Sequence, residues 1–532
     1  MATVAQPLAT PRRNPLAGLD YHWQALVVIV LGTFMVVLDT TIVNIALPKV
    51  IQVFQSTVDE GDMVLTGYML ALAVVMPATG YLSDRFGAKR VYMITIAGFT
   101  IGSALCGLAP NMAGLIAFRV LQGLGGGMVQ PLGMSILFQS APPSQRGSIM
   151  GMFGLPLLIA PAIGPTLGGY LVEYVDWRWI FTLNVPIGIL AVILGMAILR
   201  ETPRRAGGRF DWAGFLLAAV GFSAALLALS KAPGDGWTAP HIVLLYLIAA
   251  AAIPCWVVVE LSQDDPMLDL TVLRDLTYTM SQVTIGVATV ALYSALLLLP
   301  LFLQNVRGLG AMETGIILLP NALAAAAMMP IAGRLVDKVG ARPLAVPGLL
   351  LLSGATWMLS GLDPGTSDDV IRNALILRGL ATGIMFMPVM TVMMDNIPPP
   401  QMPRATALSN VMRQLIAAFG TAIFASLLLD RTRLHEAALA QAVTPTSPAA
   451  VHVLSATQLA MQAQGMAQDA AHAVGIYALQ EMVMLGATVR AFDDCFRIAT
   501  FAALVGVLPA LLLRRQKKAA TGGHREAVVE MG

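Results

Sequence analysis

Charged side chains are scarce in this sequence, and their scarcity excludes most classes of soluble protein. Only 12% of its 532 residues are Asp, Glu, Lys or Arg, whereas 57% are hydrophobic. A soluble globular chain carries about twice that charge, roughly 25%. The mean hydropathy is +0.75, and the sequence contains several apolar runs of about 20 residues, the length that spans a bilayer. The composition therefore predicts an all-α polytopic membrane protein, because helices satisfy their own backbone hydrogen bonds in lipid.

Cysteine and histidine are also rare, which argues against metal sites, disulfides and hydrolytic chemistry. Cys106, Cys255 and Cys495 lie in apolar segments without the spacing of metal ligands or of a disulfide pair. The six histidines are scattered through loops and span edges, and the sequence has no Ser-His-Asp order and no Gly-x4-Gly-Lys-Ser/Thr loop. We therefore expect no enzymatic activity, no cofactor and no metal, so that any transport would run on an ion gradient.

About fourteen apolar runs follow one another, and the basic residues between them give the orientation. Alternate loops are rich in bases, including Lys89, Arg146, Arg274 and Arg404, whereas the opposite short loops hold few. Basic loops tend to stay in the cytoplasm, so both termini are expected there. The first 23 residues lack a signal-peptide core, so the first run is expected to be a retained span. The runs lie near 24–47, 63–82, 91–109, 113–137, 148–172, 179–199, 212–230, 241–260, 277–303, 313–333, 344–361, 372–394, 405–428 and 496–513.

A charged turn, Gly80–Arg90, is repeated about 250 residues later as Gly333–Arg342. The order of other features is repeated with it, since Arg119 is matched by Arg378 and the loop residue Arg146 by Arg404. A repeat of this length determines the architecture before any local detail does. It predicts two homologous six-helix bundles.

The repeat and the hydropathy together divide the chain into seven segments. The runs within 212–260 are not repeated and form an inserted pair with a connecting or packing role. The Ala- and Gln-rich stretch 430–494 contains candidate helices at 434–442, 455–470 and 474–490, and is either a solvated helical flap or a docking surface for a periplasmic partner. The segments are a cytoplasmic tail (1–23), a six-helix bundle (24–200), two inserted helices (201–262), five helices of the second bundle (263–428), a periplasmic loop (429–495), the last transmembrane helix (496–513) and a cytoplasmic tail (514–532).

Asp39 is an acid inside the first span, and an intramembrane acid is a functional candidate by default. It lies about nine residues before the outer end of its helix, or roughly 12 Å deep, while Arg119 lies roughly 9 Å deep in the fourth span. The two can therefore meet at similar heights. Desolvation and a nearby guanidinium act in opposite directions on a carboxyl group, so such an acid could load and release protons. The alternative is a static ion pair. The second half has Arg378 but no acid near 292–296, and the partner of Arg378 stays open.

The Gly80–Arg90 turn is a candidate cytoplasmic gate. Gly87 is available for a left-handed backbone, and charge pairs formed by Asp84 and the following bases could hold the cytoplasmic side shut and break when it opens. The alternative is that these charges only set the orientation of the chain in the membrane and that the segment is an ordinary turn. The gate candidates are Gly80, Asp84, Arg85, Gly87, Arg90 and Asp337.

Two glycine-rich stretches lie inside spans. Gln122–Gly127 follows no strand, so its glycines are interpreted as close helix packing rather than as a phosphate loop. The fifth span is dense in proline and glycine, which indicates either tight packing or a flexing seam between the halves. The seam candidates are Pro161, Gly164, Pro165, Gly168 and Gly169.

These segments resemble the major facilitator superfamily, specifically its fourteen-span drug:proton antiporters. Gly80–Arg90 matches the family's loop motif, Arg119–Gly126 its fourth-span arginine motif and Pro161–Gly169 its antiporter motif, while Leu38–Pro48 and Trp177–Pro186 match signatures of the fourteen-span branch. The resemblance covers nearly the whole chain and implies the major facilitator fold. It implies that Asp39 and Arg119 couple protons, that Asp84 and Arg85 gate the cytoplasmic side, and that Gly164 and Pro165 form the antiport seam.

The long outer loop resembles that of Gram-negative inner-membrane pumps. This likeness implies a bacterial cytoplasmic (inner) membrane location and partnership with a periplasmic adaptor protein and an outer-membrane channel. No acid lies deep in the tenth span, where Glu313 sits at the outer edge, which argues against a site dedicated to divalent organic cations.

The leading functional hypothesis is proton-driven export of amphipathic, hydrophobic drugs or toxic compounds across the membrane. The partners would be the small-molecule substrate, protons and the lipid bilayer, with no nucleic acid. Two alternatives stay open, a dedicated exporter of one metabolite, siderophore or antibiotic and a non-transporting sensor or scaffold. Methionine side chains adapt to varied ligands but often serve plain packing. The cavity candidates are Phe34, Met35, Asn44, Tyr293, Phe386 and Met387.

Overall fold

A computed structural model describes residues 18–202, 204, 210–263, 265–444 and 447–513. The described chain is helical, and several helices contain short breaks. The fifteen main helices are α1 (Tyr21–Phe54), α2 (Val58–Phe86), α3 (Ala88–Gly107), α4 (Met112–Ser140), α5 (Arg146–Tyr174), α6 (Trp179–Ile198), α7 (Trp212–Asp235), α8 (Pro240–Ser262), α9 (Leu276–Val306), α10 (Ala311–Val339), α11 (Arg342–Met358), α12 (Asp368–Asp395), α13 (Met402–Ala442), α14 (Pro448–Ala463) and α15 (Gln468–Leu511).

The described helices agree with the predicted spans. Thirteen of them are long and apolar enough to cross a membrane. The helix α11 has 17 residues and lies where the sequence predicts the eleventh span. Predicted and observed spans therefore correspond one to one, except that several helices extend beyond the apolar runs. Proline and glycine interrupt several helices without ending them. One example is the 3₁₀ turn Met76–Ala78 within α2.

The helices form two bundles that meet along a shared face. In the first bundle α1 packs on α5 and α6, and α4 packs on α2 and α3; in the second, α12 packs on α10 and α11, and α13 on α9 and α15. Between the bundles α5 packs on α10 and α12, while α13 packs on α2 and α4. The inserted helices α7 and α8 pack on each other, and α7 contacts both α2 and α13. The inserted pair therefore lies beside the junction of the two bundles.

The glycines of α4 allow unusually close helix packing, as the sequence predicts. A Cβ atom at Gly123 would lie 2.7 Å from the Tyr68 carbonyl oxygen of α2, and one at Gly125 would lie 2.3 Å from the Phe99 nitrogen of α3. A side chain at either position would therefore collide with the backbone of a neighbouring helix. The interpretation of Gln122–Gly127 as a packing stretch is confirmed.

The segment between the last two spans is helical, but its helices differ from those predicted. Residues 434–442 continue α13, which has 41 residues and is about 62 Å long, compared with about 30 Å for a bilayer core. The helix expected at 455–470 is α14, which ends at Ala463 because Gly465 takes a left-handed conformation at φ 86°. The helix expected at 474–490 is the first part of α15. We call residues 429–495 the projection. The two predicted tails fall largely at 1–17 and 514–532, outside the described residues.

Packing of α4 gives a first prediction. Gly125→Ala should lower the apparent unfolding temperature of the detergent-solubilised protein, because overpacking a helix contact costs about 1–3 kcal/mol. Gly354→Ala is the matched control, since Gly354 lies within α11 and has nothing within 4 Å of its Cβ position. Equal unfolding temperatures for the two variants would contradict the packing role.

Candidate functional site

Asp39 and Arg119 form a buried ion pair inside the first bundle. Asp39 is 0% exposed and Arg119 is 1% exposed. The Arg119 Nη1 atom lies 2.5 Å from Asp39 Oδ2. The same guanidinium lies over the Tyr68 ring, with its central carbon 3.9 Å from the ring centroid. The depth arithmetic from the sequence thus places the two residues correctly, and the structure brings them into contact.

Two neutral amides complete the surroundings of Asp39, and the sequence assigned a role to neither. Gln122 Nε2 donates to Asp39 Oδ1 over 2.9 Å, and Asn184 Nδ2 donates to the same oxygen over 3.0 Å. Gln122 could have been found because it lies three residues after Arg119, on the same face of α4. Asn184 is a lone amide among apolar residues of α6, which is a weaker signal. We call Asp39, Arg119, Gln122 and Asn184 the carboxylate cluster.

One polar atom of the carboxylate cluster and one beside it have no described hydrogen-bond partner. They are the Asn184 Oδ1 atom and the Tyr68 hydroxyl oxygen, both fully buried. Around the ionised Asp39, every described contact is a donor, as a carboxylate requires. A protonated Asp39 would instead become a donor, and neutral amides can accept as well as donate. The cluster therefore has the chemical groups to accommodate Asp39 in either protonation state.

Arg378 occupies the equivalent position in the second bundle without an acid among the described residues. Its Nη1 donates to Thr356 Oγ1 over 2.8 Å, and its Nη2 donates to the Ala291 carbonyl over 2.6 Å and to the Leu292 carbonyl over 3.2 Å. Backbone carbonyls of α9 thus bind this guanidinium at the start of the stretch 292–296, where the repeat would place an acid. Each half therefore has a buried arginine, but among the described residues only the arginine of the first half is paired with an acid.

The charged turns of both halves meet at one end of the molecule, which we call the basic end. Arg404, at the start of α13, binds Asp84 over 3.0 Å and Asp265 over 2.5 Å. Gly80 lies against the same arginine, because a Cβ atom there would be 2.4 Å from Arg404 Cγ. Asp84 therefore contacts the opposite half, and the loop after α8 contributes a second carboxylate that the sequence did not identify.

The copy of the charged turn in the second half, Gly333–Arg342, makes a corresponding contact with the first half. Asp337 of α10 accepts from the Gly147 backbone N–H over 3.0 Å, at the first turn of α5. A carboxylate at a helix N-terminus is stabilised by the unpaired N–H groups and the helix dipole. Next to it, Arg146 pairs with Asp395 over 3.4 Å. Each half thus places one aspartate at the start of a helix in the opposite half.

The other gate candidates do not reach the opposite half. Gly87 has φ 92°, as its position in the turn predicts, and lies against Glu201. Arg90 pairs with Glu201 over 3.7 Å within the first half. The Arg85 side chain is exposed. These three residues shape or surround the turn, whereas Asp84 makes the contact between halves.

The fifth helix lies at the junction of the two bundles, and two of its predicted seam residues, Gly164 and Gly168, lie against α1 of their own bundle. Both Pro161 and Pro165 lie within α5. Cβ atoms at Gly164 and Gly168 would lie 2.4 Å from Thr41 and 2.9 Å from Ile42 of α1, whereas Gly169 has open space. Several positions of α5 also contact the second half. The backbone glycines at positions 147 and 151 approach α10, and Thr166, inside the seam stretch, lies against Gly315 of α10.

Half of the predicted cavity residues are buried packing residues in this conformation. Met35 and Met387 are fully buried and Phe386 is nearly so, all within the main apolar core. Asn44 and Tyr293 are exposed, and Phe34 is partly buried. Asn44 also donates to the Thr40 carbonyl one turn earlier, over 3.4 Å. The structure therefore leaves Phe34, Asn44 and Tyr293 as accessible candidates.

Comparison with known proteins agrees with this geometry. Residues 29–421 match the family model described as Major Facilitator Superfamily. The chain is 34% identical to an uncharacterized MFS-type transporter, YhcA of Bacillus subtilis, over 93% of each chain. It is 31% identical to the multidrug export protein EmrB of Escherichia coli, over 86% of this chain and 90% of EmrB. The human organic anion transporter MFSD10 has a similar fold, with a TM-score of 0.60 and 15% identity over 92% of this chain and 99% of MFSD10, which shows the fold alone.

The contrast between the two buried arginines gives a second prediction. Arg119→Leu should lower the apparent unfolding temperature more than Arg378→Leu, because only the first change leaves a buried carboxylate without its cation, a loss worth about 3–5 kcal/mol. Adding Asp39→Asn to Arg119→Leu should recover part of the loss. Thermal unfolding of the purified variants checks both expectations. Additive effects of the two substitutions would contradict a coupled pair.

Proposed function

This chain belongs to the major facilitator superfamily, and we propose that it is a proton-coupled antiporter exporting amphipathic, hydrophobic compounds from the cell. The observation that carries the proposal is the buried carboxylate cluster. Relatives support the export of drugs, because EmrB of Escherichia coli is named a multidrug export protein. The transporter family argues for a role without enzymatic chemistry.

Asp39 is the proposed proton carrier. It is the one acid at middle depth in the described spans of the first bundle, and its carboxylate forms an ion pair with Arg119. Protonation removes the attraction between Asp39 and Arg119, which weakens the link between α1 and α4. A change of charge state at Asp39 therefore alters the packing of two helices, and this links proton binding to a change of conformation.

The contacts at the basic end are the proposed gate. Asp84 with Arg404, and Asp337 with the start of α5, join the two halves at that end. For substrate to enter from that side, both contacts must break, while opening of the opposite end leaves them in place. We assign the basic end to the cytoplasm, because basic loops are retained there. The described conformation is then closed toward the cytoplasm.

With this orientation, we propose that the chain lies in a bacterial inner membrane, that the projection lies in the periplasm and that both termini lie in the cytoplasm. Its helices are joined at their base by Asp494, which lies 3.0 Å from His435 and 3.5 Å from Arg431. Large apolar side chains are exposed along it, among them Leu459, Tyr477 and Met482. An apolar helical surface of this kind suits packing against helices, so we propose that a periplasmic adaptor docks here and leads to an outer-membrane channel.

Proton coupling gives a third prediction. Asp39→Asn should abolish proton-driven dye efflux in everted vesicles but should not change the rate of dye exchange measured in the absence of a proton gradient. The reason is that the amide keeps the same neighbours but cannot titrate. Asp469→Asn, which removes an exposed acid of the projection, is the matched control and should retain wild-type rates. Proton-driven efflux at wild-type rates in Asp39→Asn would refute the proton-carrier assignment.

The gate gives a fourth prediction. Arg404→Gln should raise hydrogen exchange of backbone amides near positions 84–88 and 265–269, because it removes the cation that holds both carboxylates. Hydrogen–deuterium exchange with mass spectrometry measures this directly. The control is Arg372→Gln, which removes an exposed pair with Asp369 in the first turn of α12. Unchanged exchange in both segments would show that Arg404 does not hold the basic end closed.

A further inference from the structure

Arg413 of α13 is a third cation at middle depth, after Arg119 and Arg378, and it lies where the two halves meet. Nothing in the proposed proton pathway uses it. It lies eleven residues after the start of α13 at Met402, which corresponds to about 17 Å. That depth is near the middle of a bilayer core of about 30 Å. An arginine at such a depth is a functional candidate that needs an identified partner.

The described partners of Arg413 are all neutral. Its Nη2 donates to Gln130 Oε1 of α4 over 2.9 Å and to Asn410 Oδ1 over 2.6 Å. No carboxylate among the described residues pairs with it, and no described partner binds Nε or Nη1. Three of the five N–H donors of the guanidinium are therefore open. The residue is partly exposed, and its Nε and Nη1 atoms are not among the fully buried atoms that lack a partner, so these donors keep some access.

The rest of the second bundle offers no compensating negative charge at this depth. Between positions 276 and 428 the sequence has six acids, and each lies in a loop or in an end turn of a helix. They are Glu313, Asp337, Asp363, Asp368, Asp369 and Asp395. The other cation at middle depth, Arg378, is 2% exposed and bound by backbone carbonyls. Arg413 is thus the accessible positive charge at middle depth in the second bundle's described spans.

The surroundings of Arg413 suit an amphipathic ligand. Tyr293 belongs to α9, which packs on α13, and it is 37% exposed, so its ring can contact an apolar body. The Gln130–Arg413 hydrogen bond crosses between the two halves, so it must rearrange when the halves move. An anionic head group can replace the neutral Gln130 oxygen, because charge-assisted hydrogen bonds are about twice as strong as neutral ones.

We propose that Arg413 forms the binding subsite for the anionic head group of an amphipathic organic anion on the export path. This inference rests on the proposed export function and narrows it to a substrate class. The ligand carries one compact negative group, such as a carboxylate, on an aromatic or aliphatic body. Arg413 supplies the charge and Tyr293 contacts the body.

The test compares three probes that share one apolar body. They are 1-pyrenebutyrate, the neutral 1-pyrenebutyramide and a 4-(1-pyrenyl)butyl-trimethylammonium salt. Binding to the purified full-length protein in phosphatidylcholine nanodiscs is followed by energy transfer from tryptophan to pyrene, with protein-free nanodiscs subtracted. We expect wild-type protein to bind the carboxylate probe about tenfold more tightly than the ammonium probe, a difference of about 1.4 kcal/mol, which is of the order of one hydrogen bond to a charged group.

Arg413→Gln should lower affinity for 1-pyrenebutyrate about tenfold and leave affinity for 1-pyrenebutyramide unchanged, whereas Arg413→Lys should keep part of the preference. Gln130→Ala should keep the preference for the anion, because it removes only the neutral competitor. Arg372→Gln, which removes one exposed charge, controls for the overall field of the protein. An equal loss for all three probes in Arg413→Gln would overturn the proposal, since it would indicate a structural role.

Two further outcomes separate the subsite from the proposed function. If wild-type protein binds the carboxylate and ammonium probes equally, the subsite is refuted whether or not Arg413→Gln folds. If wild-type protein prefers the carboxylate probe but a proton gradient drives no efflux from everted vesicles, the antiport proposal fails and the subsite stands.

Discussion

The structure depends on one buried carboxylate and its neighbours. Asp39 is removed from solvent, and an isolated charge there would be strongly unfavourable. Arg119 balances that charge, while Gln122 and Asn184 donate hydrogen bonds to it. These partners come from α4 and α6, so the position of α1 within the bundle is tied to the charge of a single group. Under the proposed function, such a group would link proton binding to helix packing.

Small residues make the second physical constraint, because they set how closely the helices approach. In lipid there is no hydrophobic force between apolar helices, so association depends on close packing and hydrogen bonds. Gly123 and Gly125 bring α4 against α2 and α3 within the first bundle. Gly147 brings α5 against α10 between the bundles, where Asp337 accepts from its backbone N–H. At Gly147, close helix packing and a hydrogen bond to a carboxylate therefore occur at the same position of the junction.

The two halves repeat the same order of features, yet their polar sites differ. The first half holds an arginine neutralised by an acid, whereas Arg378 in the second is held by carbonyl oxygens of α9. Arg413 adds a cation bound only by neutral described groups at the junction. This division separates the proton, which would bind in the first half, from the substrate head group, which would bind at the edge of the second.

The sequence by itself determined the number and order of the spans, the repeat, and the expectation that Asp39 and Arg119 lie at similar depths. Each follows from quantities that the chain carries locally, namely hydropathy, loop charge and the fixed rise of a helix. It could not determine which face of each helix turns inward or which distant turns meet. Gln122 and Asn184 reach Asp39, and Arg404 reaches Asp84 from 320 residues away, only because tertiary packing fixes helix rotation and places the halves together. The same packing buried Met35 and Met387, which the sequence had assigned to a cavity, because residue type alone does not distinguish a core wall from a cavity wall.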